Sequence, residues 1–292
     1  MAGSLYLVAT PVGNLNDLSD RVKDILRSAD ILLAEDTRVT IRLLNHLGIK
    51  KHLISCHQHN EKERTKILAE AAEKGWSVAL VSDAGTPLIS DPGDLLVTEA
   101  ISLGLNVIPI AGPSAFLLAL VGSGLRCDRF AFEGFLPDKP KEMKDRLISL
   151  VREQRTLIFY ISPHKLNRTV SEMLTHFHDR KACLARELTK LHEEFIRGTV
   201  QELSVKIENT EIRGECVLIL EGFRPDQPTE EVGADIEEFD QYVKYRLEQG
   251  DRASELAQDA AKLFGRKRSD VYKLIVDFQK DRQNRLGECD NS

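Results

Sequence analysis

At 292 residues the chain can bury a sizeable core but exceeds one average domain, so two or three units are expected. Its formal net charge of −6 excludes a generic polyanion binder, because phosphate contacts need clustered Lys and Arg, and local patches must be sought instead. Five scattered cysteines (Cys56, Cys127, Cys183, Cys216, Cys289) form no CxxC pair, which argues against disulfide staples and for a reducing, cytoplasmic setting.

Leu5 to Ala9 follows directly on Met1-Ala2-Gly3-Ser4, without the basic leader and long apolar core of a signal peptide. It reads as a buried strand ending in the loop Ala9-Thr10-Pro11-Val12-Gly13-Asn14-Leu15. Leu18, Val22, Ile25 and Leu26 then fall at helical spacing, with Ser19 and Asp20 as cap-type residues. Ile31 to Ala34 precedes Glu35-Asp36-Thr37-Arg38 and a helical segment Val39 to Leu47, which Asp36 or Thr37 would cap. Helical Arg64 to Lys74 leads to the strand Val78 to Val81 and the loop Ser82 to Gly93; helical Asp94 to Gly104 leads to the strand Val107 to Ile110 and Ala111-Gly112-Pro113-Ser114. Strands alternating with helices predict right-handed crossovers and a mostly parallel sheet covered on both faces. Ligands of such sheets bind outside the carboxyl ends of the strands, where every one of these loops lies. No apolar run approaches the about 20 residues needed to cross a bilayer, so no membrane association is expected.

From Arg126 the texture changes to Phe130-Ala131-Phe132-Glu133-Gly134-Phe135 and a charged stretch, Pro137 to Arg146. Strands are predicted at 156–161, 182–185, 198–203 and 216–220 around a helix from Lys165 to His178, making a second α/β unit. Arg224 to Asp235, rich in Pro, Glu, Gln and Gly, reads as a linker. Phe239 to Gly250, Ala253 to Phe264 and Ser269 to Gln279 are three helical patterns, with Ser269 as a cap and a turn before the last helix, the helix-turn-helix layout. Seven Lys or Arg stand against three Asp between Gly265 and Arg285, so an acidic protein carries a basic end suited to nucleic acid, or a solvated helix face. The expected architecture is α/β: a parallel N-terminal domain (1–120), a second α/β domain (121–224) completing a cleft, a linker (225–235), a small helical domain (236–285) and a tail (286–292).

The loop Ser82-Asp83-Ala84-Gly85-Thr86-Pro87-Leu88-Ile89-Ser90-Asp91-Pro92-Gly93 gathers small residues, two prolines and two glycines at a strand end. Glycine permits close backbone approach to a ligand and proline pre-sets the loop; a cofactor floor and a tight structural turn are both open readings. Neither GxxxxGK[ST] nor GxGxxG is present, so phosphate cradling is unsupported, and a ligand joining an adenosine to an amino acid suits these loops better. Cys56-His57-Gln58-His59-Asn60 has no second Cys/His pair at a recognised spacing, so no metal is expected, and substrate contact by His59 and Asn60 is preferred. His46, His52, His176 and His178 follow no pattern and read as ordinary surface or loop histidines. Arg186-Glu187-Leu188-Thr189-Lys190 mixes acid, hydroxyl and base after a strand, and Tyr160-Ile161-Ser162-Pro163-His164-Lys165 is a comparable transition.

Taken in order, Leu7 to Leu15 with Asp17-Leu18, Ala34 to Arg38, Ser82 to Gly93, Gly112 to Ala115, Phe132 to Pro137 and Arg186 to Lys190 resemble the ribosomal RNA small subunit methyltransferase I family over nearly the whole chain. That resemblance implies the tetrapyrrole-methylase fold, S-adenosylmethionine in a cleft between two α/β domains, a homodimer, and 2′-O-methylation of a cytidine in the decoding region of 16S rRNA within the small ribosomal subunit. The cofactor is then expected against Pro11, Gly13, Asp83, Ala84, Gly85, Thr86, Ile89, Ser114, Ala115 and Tyr160. Where the tetrapyrrole enzymes carry a glycine-rich first loop and Gly-Asp-Pro, this chain has Ala-Thr-Pro-Val-Gly and Gly85-Thr86-Pro87, so main-chain contacts should carry over better than that of the Thr86 side chain. RNA contacts are expected from Arg38, His59, Asn60, His164, Lys165, Arg186, Arg266, Lys267 and Arg268. A base for the ribose hydroxyl is sought among Asp36, Glu187 and Lys190, the last if its ammonium is deprotonated. The rival readings are methylation of a tetrapyrrole or other small molecule, and a ligand-sensing DNA-binding regulator.

Overall fold

The structure, a computed structural model, describes residues 3–177, 179–208, 210, 212–224, 234–248, 251–264 and 267–289. The chain divides into two compact units, Met1–Leu147 with Glu153–Gly222, and Ile148–Arg152 with Phe223–Ser292. Both α/β halves therefore lie in the first unit.

Its first sheet is formed by β1 (Ser4–Val8), β2 (Ile31–Ala34), β3 (Leu53–Ser55), β4 (Ser77–Val81) and β5 (Asn106–Ile110), all parallel in the order β3-β2-β4-β1-β5. Helices on both faces explain the unbroken apolar runs of the central strands. On one face α1 (Asp20–Ser28) and α2 (Thr37–His46) bury Val22, Leu26, Leu43 and Leu44; on the other, α3 (Glu61–Lys74) and α4 (Asp94–Ser102) bury Leu68, Ala71, Leu96 and Ala100. The Ser19 hydroxyl accepts the Val22 N–H at 3.2 Å and starts α1 as its sequence predicts. Helix α3 begins at Glu61, earlier than expected. The buried Glu61 carboxylate accepts the Leu95 and Leu96 N–H groups at 2.8 and 3.3 Å, capping α4 from a neighbouring helix.

The second sheet contains β6 (Phe130–Phe135), β7 (Thr156–Ile161), β8 (Lys181–Arg186), β9 (Glu194–Thr199) and β10 (Cys216–Leu220), in the order β6-β7-β10-β8-β9. Only β6 and β7 run parallel; the other neighbours are antiparallel. Three helices went unmarked or were misread in the sequence. Helix α5 (Ala115–Ser123) is apolar all round and shows no period, and α6 (Pro140–Leu150) looked like a charged stretch. Helix α7 (Pro163–Phe177) starts before Lys165. The expected strand at 198–203 is a correction: β9 ends at Thr199, and α8 (Val200–Glu208) buries Val200, Leu203 and Ile207 at helical spacing, with the Thr199 hydroxyl accepting the Glu202 N–H.

In the second unit α9 (Ala234–Glu248), α10 (Ala253–Leu263) and α11 (Arg268–Cys289) share a core of Phe239, Val243, Leu256, Ala257, Ala260, Val271 and Ile275. Ser269 lies inside the first turn of α11, not at its cap: the Lys267 carbonyl accepts from Asp270 and Val271. Helix α11 continues past the expected boundary at 285. The linker at 225–233 lies outside the described residues.

Candidate functional site

All five strands of the first sheet point their carboxyl ends at one edge, and three of the loops there are tied together by hydrogen bonds. Thr10 and Gly85 exchange backbone bonds of 2.9 and 3.0 Å as an isolated antiparallel bridge, possible because Gly85 takes a left-handed φ of 82°. The buried Thr10 hydroxyl donates to the Ser82 carbonyl at 3.1 Å, and the Ser82 hydroxyl to the Gly85 carbonyl at 2.6 Å. Thr86 donates to the Pro113 carbonyl at 3.0 Å, joining the loop after β4 to the loop after β5. The side chain expected to touch a cofactor is thus engaged with backbone.

The first loop also meets the second sheet. A Cβ at Gly13 would run into Lys190 Cγ and lie 2.8 Å from the Leu188 carbonyl, so only glycine lets this loop close on the turn after β8. Glu187 and Thr189 in that turn have left-handed φ angles of 50° and 64°, a strained backbone of the kind kept at sites and clamps.

Between the strand ends of the two sheets lies a cavity of about 420 Å³, within the range of small-molecule clefts. The first sheet contributes Asp83, Ala84, Gly85, Thr86, Ile89, Ser114 and Ala115, and the second contributes Tyr160. The Tyr160 ring packs with Phe132 and Phe135 at centroid distances of 4.9 and 5.4 Å, making an aromatic corner. Burial pushes the Tyr160 hydroxyl up, against hydrogen bonds from the Phe116 backbone and the Ser114 side chain. Glu35, Asp91, Phe135 and Glu215 also line the cavity, and sequence reasoning did not single them out. Glu35 and Asp91 stood inside two of the quoted motifs, but their convergence depends on how β2 and β4 pair.

Asp83, Glu35, Asp91 and Glu215 put four carboxylates on the wall; among the described residues no Lys or Arg lines it, and only Glu215 has a lysine partner, Lys190, at 3.1 Å. Burial lifts Glu35, helped by the charge of Asp83, and burial likewise lifts Asp83. Asp91 is pushed up to about 7 by burial and by the charges of Glu35 and Asp83. Such a wall favours a cationic ligand and rejects phosphate.

The three expected base candidates sit elsewhere. Asp36 caps α2, accepting the Arg38 N–H at 2.8 Å, and its bidentate pairing with the Arg38 guanidinium holds it down at about 2. Lys190 bonds Glu187 at 2.9 Å and Glu215 at 3.1 Å. Burial alone would lower the Lys190 ammonium, but those carboxylates outweigh it and raise it, while the same bond lowers Glu187. The deprotonated Lys190 that a base would require is therefore corrected to a held cation.

Pro11 and Gly13 do not line the large cavity. They border a second one of about 250 Å³, with Thr40, Arg42 and His46 of α2 and with Asp83, which faces both. His46, read as an ordinary surface residue, thus borders a cavity. The expected RNA contacts are dispersed. Asn60 closes its own loop, accepting the His57 N–H and donating to the Ser55 carbonyl, while the exposed His59 packs edge-on to His57. Arg186 pairs with Glu194 at 2.6 Å, Lys165 pairs with Asp138, and His164 borders a third cavity beside Arg213. Lys267 and Arg268 are exposed at the start of α11; Arg266 lies outside the described residues.

Residues 4–204 match the family model described as Tetrapyrrole (Corrin/Porphyrin) Methylases. The chain is 45% identical over 237 residues to ribosomal RNA small subunit methyltransferase I of Pseudomonas aeruginosa, covering 80% of this chain and 84% of that protein. It is 43% identical over 272 residues to the protein of that name from Halalkalibacterium halodurans, covering 93% and 94%. Among solved structures, a diphthine synthase aligns with a TM-score of 0.58 at 16% identity over 75% of this chain and 90% of its own. The uroporphyrin-III-C-methyltransferase of Thermus thermophilus aligns at 0.53 and 20% identity over 75% and 94%. With its two sheets and the cavity at their strand ends, the chain belongs to the ribosomal RNA small subunit methyltransferase I family of the tetrapyrrole methylases.

Proposed function

We propose that the protein is a cytoplasmic, S-adenosylmethionine-dependent enzyme that methylates the ribose 2′-hydroxyl of a cytidine in the decoding region of 16S rRNA, with the small ribosomal subunit as substrate. The observation that carries this reading is the large cavity: Glu35, Asp83 and Asp91, with no Lys or Arg among the described lining residues, suit a sulfonium and an ammonium, and the aromatic corner suits an adenine. Its size also fits that cofactor. The cofactor would rest on Asp83 to Thr86, Ile89, Ser114, Ala115 and Tyr160, with main-chain groups of the second loop as partners. When bound, it supplies a methyl group already activated by positive sulfur.

The chain's own task is to place the hydroxyl and remove its proton. Asp36, Glu187 and Lys190 are each committed to an ion pair, so we assign the proton acceptor to Asp83, whose raised carboxyl faces both cavities. One Asp83 oxygen accepts the Asp36 N–H at 3.0 Å, which fixes the side chain. Lys267 and Arg268 would add phosphate contacts. Incubating the protein with methyl-labelled cofactor and small subunits should put label on one cytidine ribose of 16S rRNA, mapped by resistance of the adjacent bond to alkali. Label on a base, or none, would overturn the reading.

The same reading includes a homodimer. Leu117 and Val121 are one turn apart on α5 and 46% and 63% exposed, an apolar face that a second copy would cover. Val121→Asp should convert a dimer to a monomer by light scattering; an unchanged mass would assign the dimer to another face.

A further inference from the structure

We propose that the second cavity, bordered by the first loop and α2, holds the pyrimidine of the target nucleotide after it swings out of its strand. This rests on the RNA methyl-transfer reading and adds where the acceptor sits and which residues select it.

Size comes first. At about 250 Å³ the cavity falls below the about 300–1,000 Å³ of clefts for drug-sized ligands, which suits one ring and part of a sugar and excludes a tetrapyrrole macrocycle. Its walls are layered by chemistry. Pro11, Leu15, Val39 and Leu43 offer apolar surface to the faces of a ring. Thr40 is 2% exposed, and its hydroxyl has no hydrogen-bond partner among the described residues. A buried hydroxyl left unmatched in the free protein is a group kept for something that arrives. On a pyrimidine, the ring nitrogen and carbonyl of the Watson–Crick edge are such partners, and a base must be unstacked to offer them.

Position comes second. Asp83 belongs to the walls of both cavities, so a nucleotide with its base beside Thr40 has its sugar directed at the carboxylate that also borders the cofactor cavity. Charge comes third. Arg38, Arg42 and His46 recur every four residues on α2, on one face of the helix, and Arg42 and His46 border this cavity. Arg38 is tied to Asp36; Arg42 is exposed and pairs with no carboxylate among the described residues, which leaves it for a backbone phosphate.

The test uses the whole protein, small ribosomal subunits and cytidine 5′-monophosphate. Thr40→Val keeps the shape and removes the hydroxyl, so the variant should melt no lower than wild type, bind S-adenosylmethionine equally, and lose about tenfold in kcat/KM on subunits, about what one hydrogen bond supplies. Arg42→Ala, at the exposed rim, should raise KM several-fold with little change in kcat and flatten the salt dependence. Saturation-transfer NMR should detect cytidine 5′-monophosphate on wild type and lose the base signals in Thr40→Val. Subunits methylated by both variants at the wild-type kcat/KM would overturn the cavity assignment and leave the methyltransferase reading standing. Base signals that vanish in Thr40→Val, with no methyl on wild-type-treated subunits, would uphold the cavity and overturn the function.

Discussion

Asp83→Asn is expected to lower methyl transfer by about 10²–10⁴-fold, the usual loss when a positioned proton acceptor is removed. Asparagine is nearly the same shape and its carbonyl oxygen can still accept the Asp36 N–H, so the tie between the loops after β2 and β4 should survive. Cofactor affinity should change little beyond the loss of one wall charge. The pH profile separates a proton acceptor from a structural residue. Burial raises the Asp83 carboxyl, so wild-type kcat should climb with pH as that group ionises and then level off, whereas Asp83→Asn should lack that rise. Equal turnover in variant and wild type would return the search to the other carboxylates of the wall.

Asp91→Asn should remove a pH dependence from cofactor binding. Asp91 titrates at about 7 because burial, Glu35 and Asp83 all oppose its negative charge. A cation entering the cavity reverses that opposition and drives the proton off. Affinity for S-adenosylmethionine should therefore rise as pH increases from 6 to 8. The gain would be on the order of tenfold, since charges a few ångströms apart at a partly buried site are worth a few kcal/mol. S-adenosylhomocysteine lacks the sulfonium charge and should show a weaker slope. Isothermal titration at three pH values is sufficient; an undiminished slope in Asp91→Asn would assign the dependence elsewhere. Stability carries the matching sign. The folded carboxyl is raised above the about 3.9 of an unfolded Asp, so its contribution is fully present below that value and is lost as pH rises through about 7. Thermal melts of the free protein should fall over that window, and those of Asp91→Asn less so.

The three-residue β3 is too short to show a pattern, but the other four of the five strands of the first sheet were legible as short apolar runs leading into motif loops, and α1 and α2 each carry an apolar stripe behind a capping Ser or Asp. The second half was less so. Helix α5 has no polar face to reveal a period, and the 198–203 segment joins a strand end to a helix start with no glycine or proline between them. The motif loops marked most of the large cavity, yet two of the ten expected cofactor residues, Pro11 and Gly13, border the smaller one and not the large one. A motif says which loop is special, but not which of its two sides faces the ligand.

By itself, the sequence determined the α/β alternation, the strand-end loops and the family. The alternation and the loops follow from local apolar period, capping and short-range turn chemistry, which neighbouring residues specify together; the family follows only from the resemblance of the motifs in order. Tertiary structure decided the electrostatics. Asp36 and Asp91 are the same residue type in adjoining strand-end loops, but one is held at about 2 by an arginine two positions away, and the other is carried to about 7 by burial beside carboxylates from two different loops. The arginine partner is visible in the string of letters; the burial and the converging carboxylates exist only once β2 and β4 lie side by side. An ionisation state depends on surrounding dielectric and on charges brought from distant sequence positions, and the order of strands in the sheet supplies both.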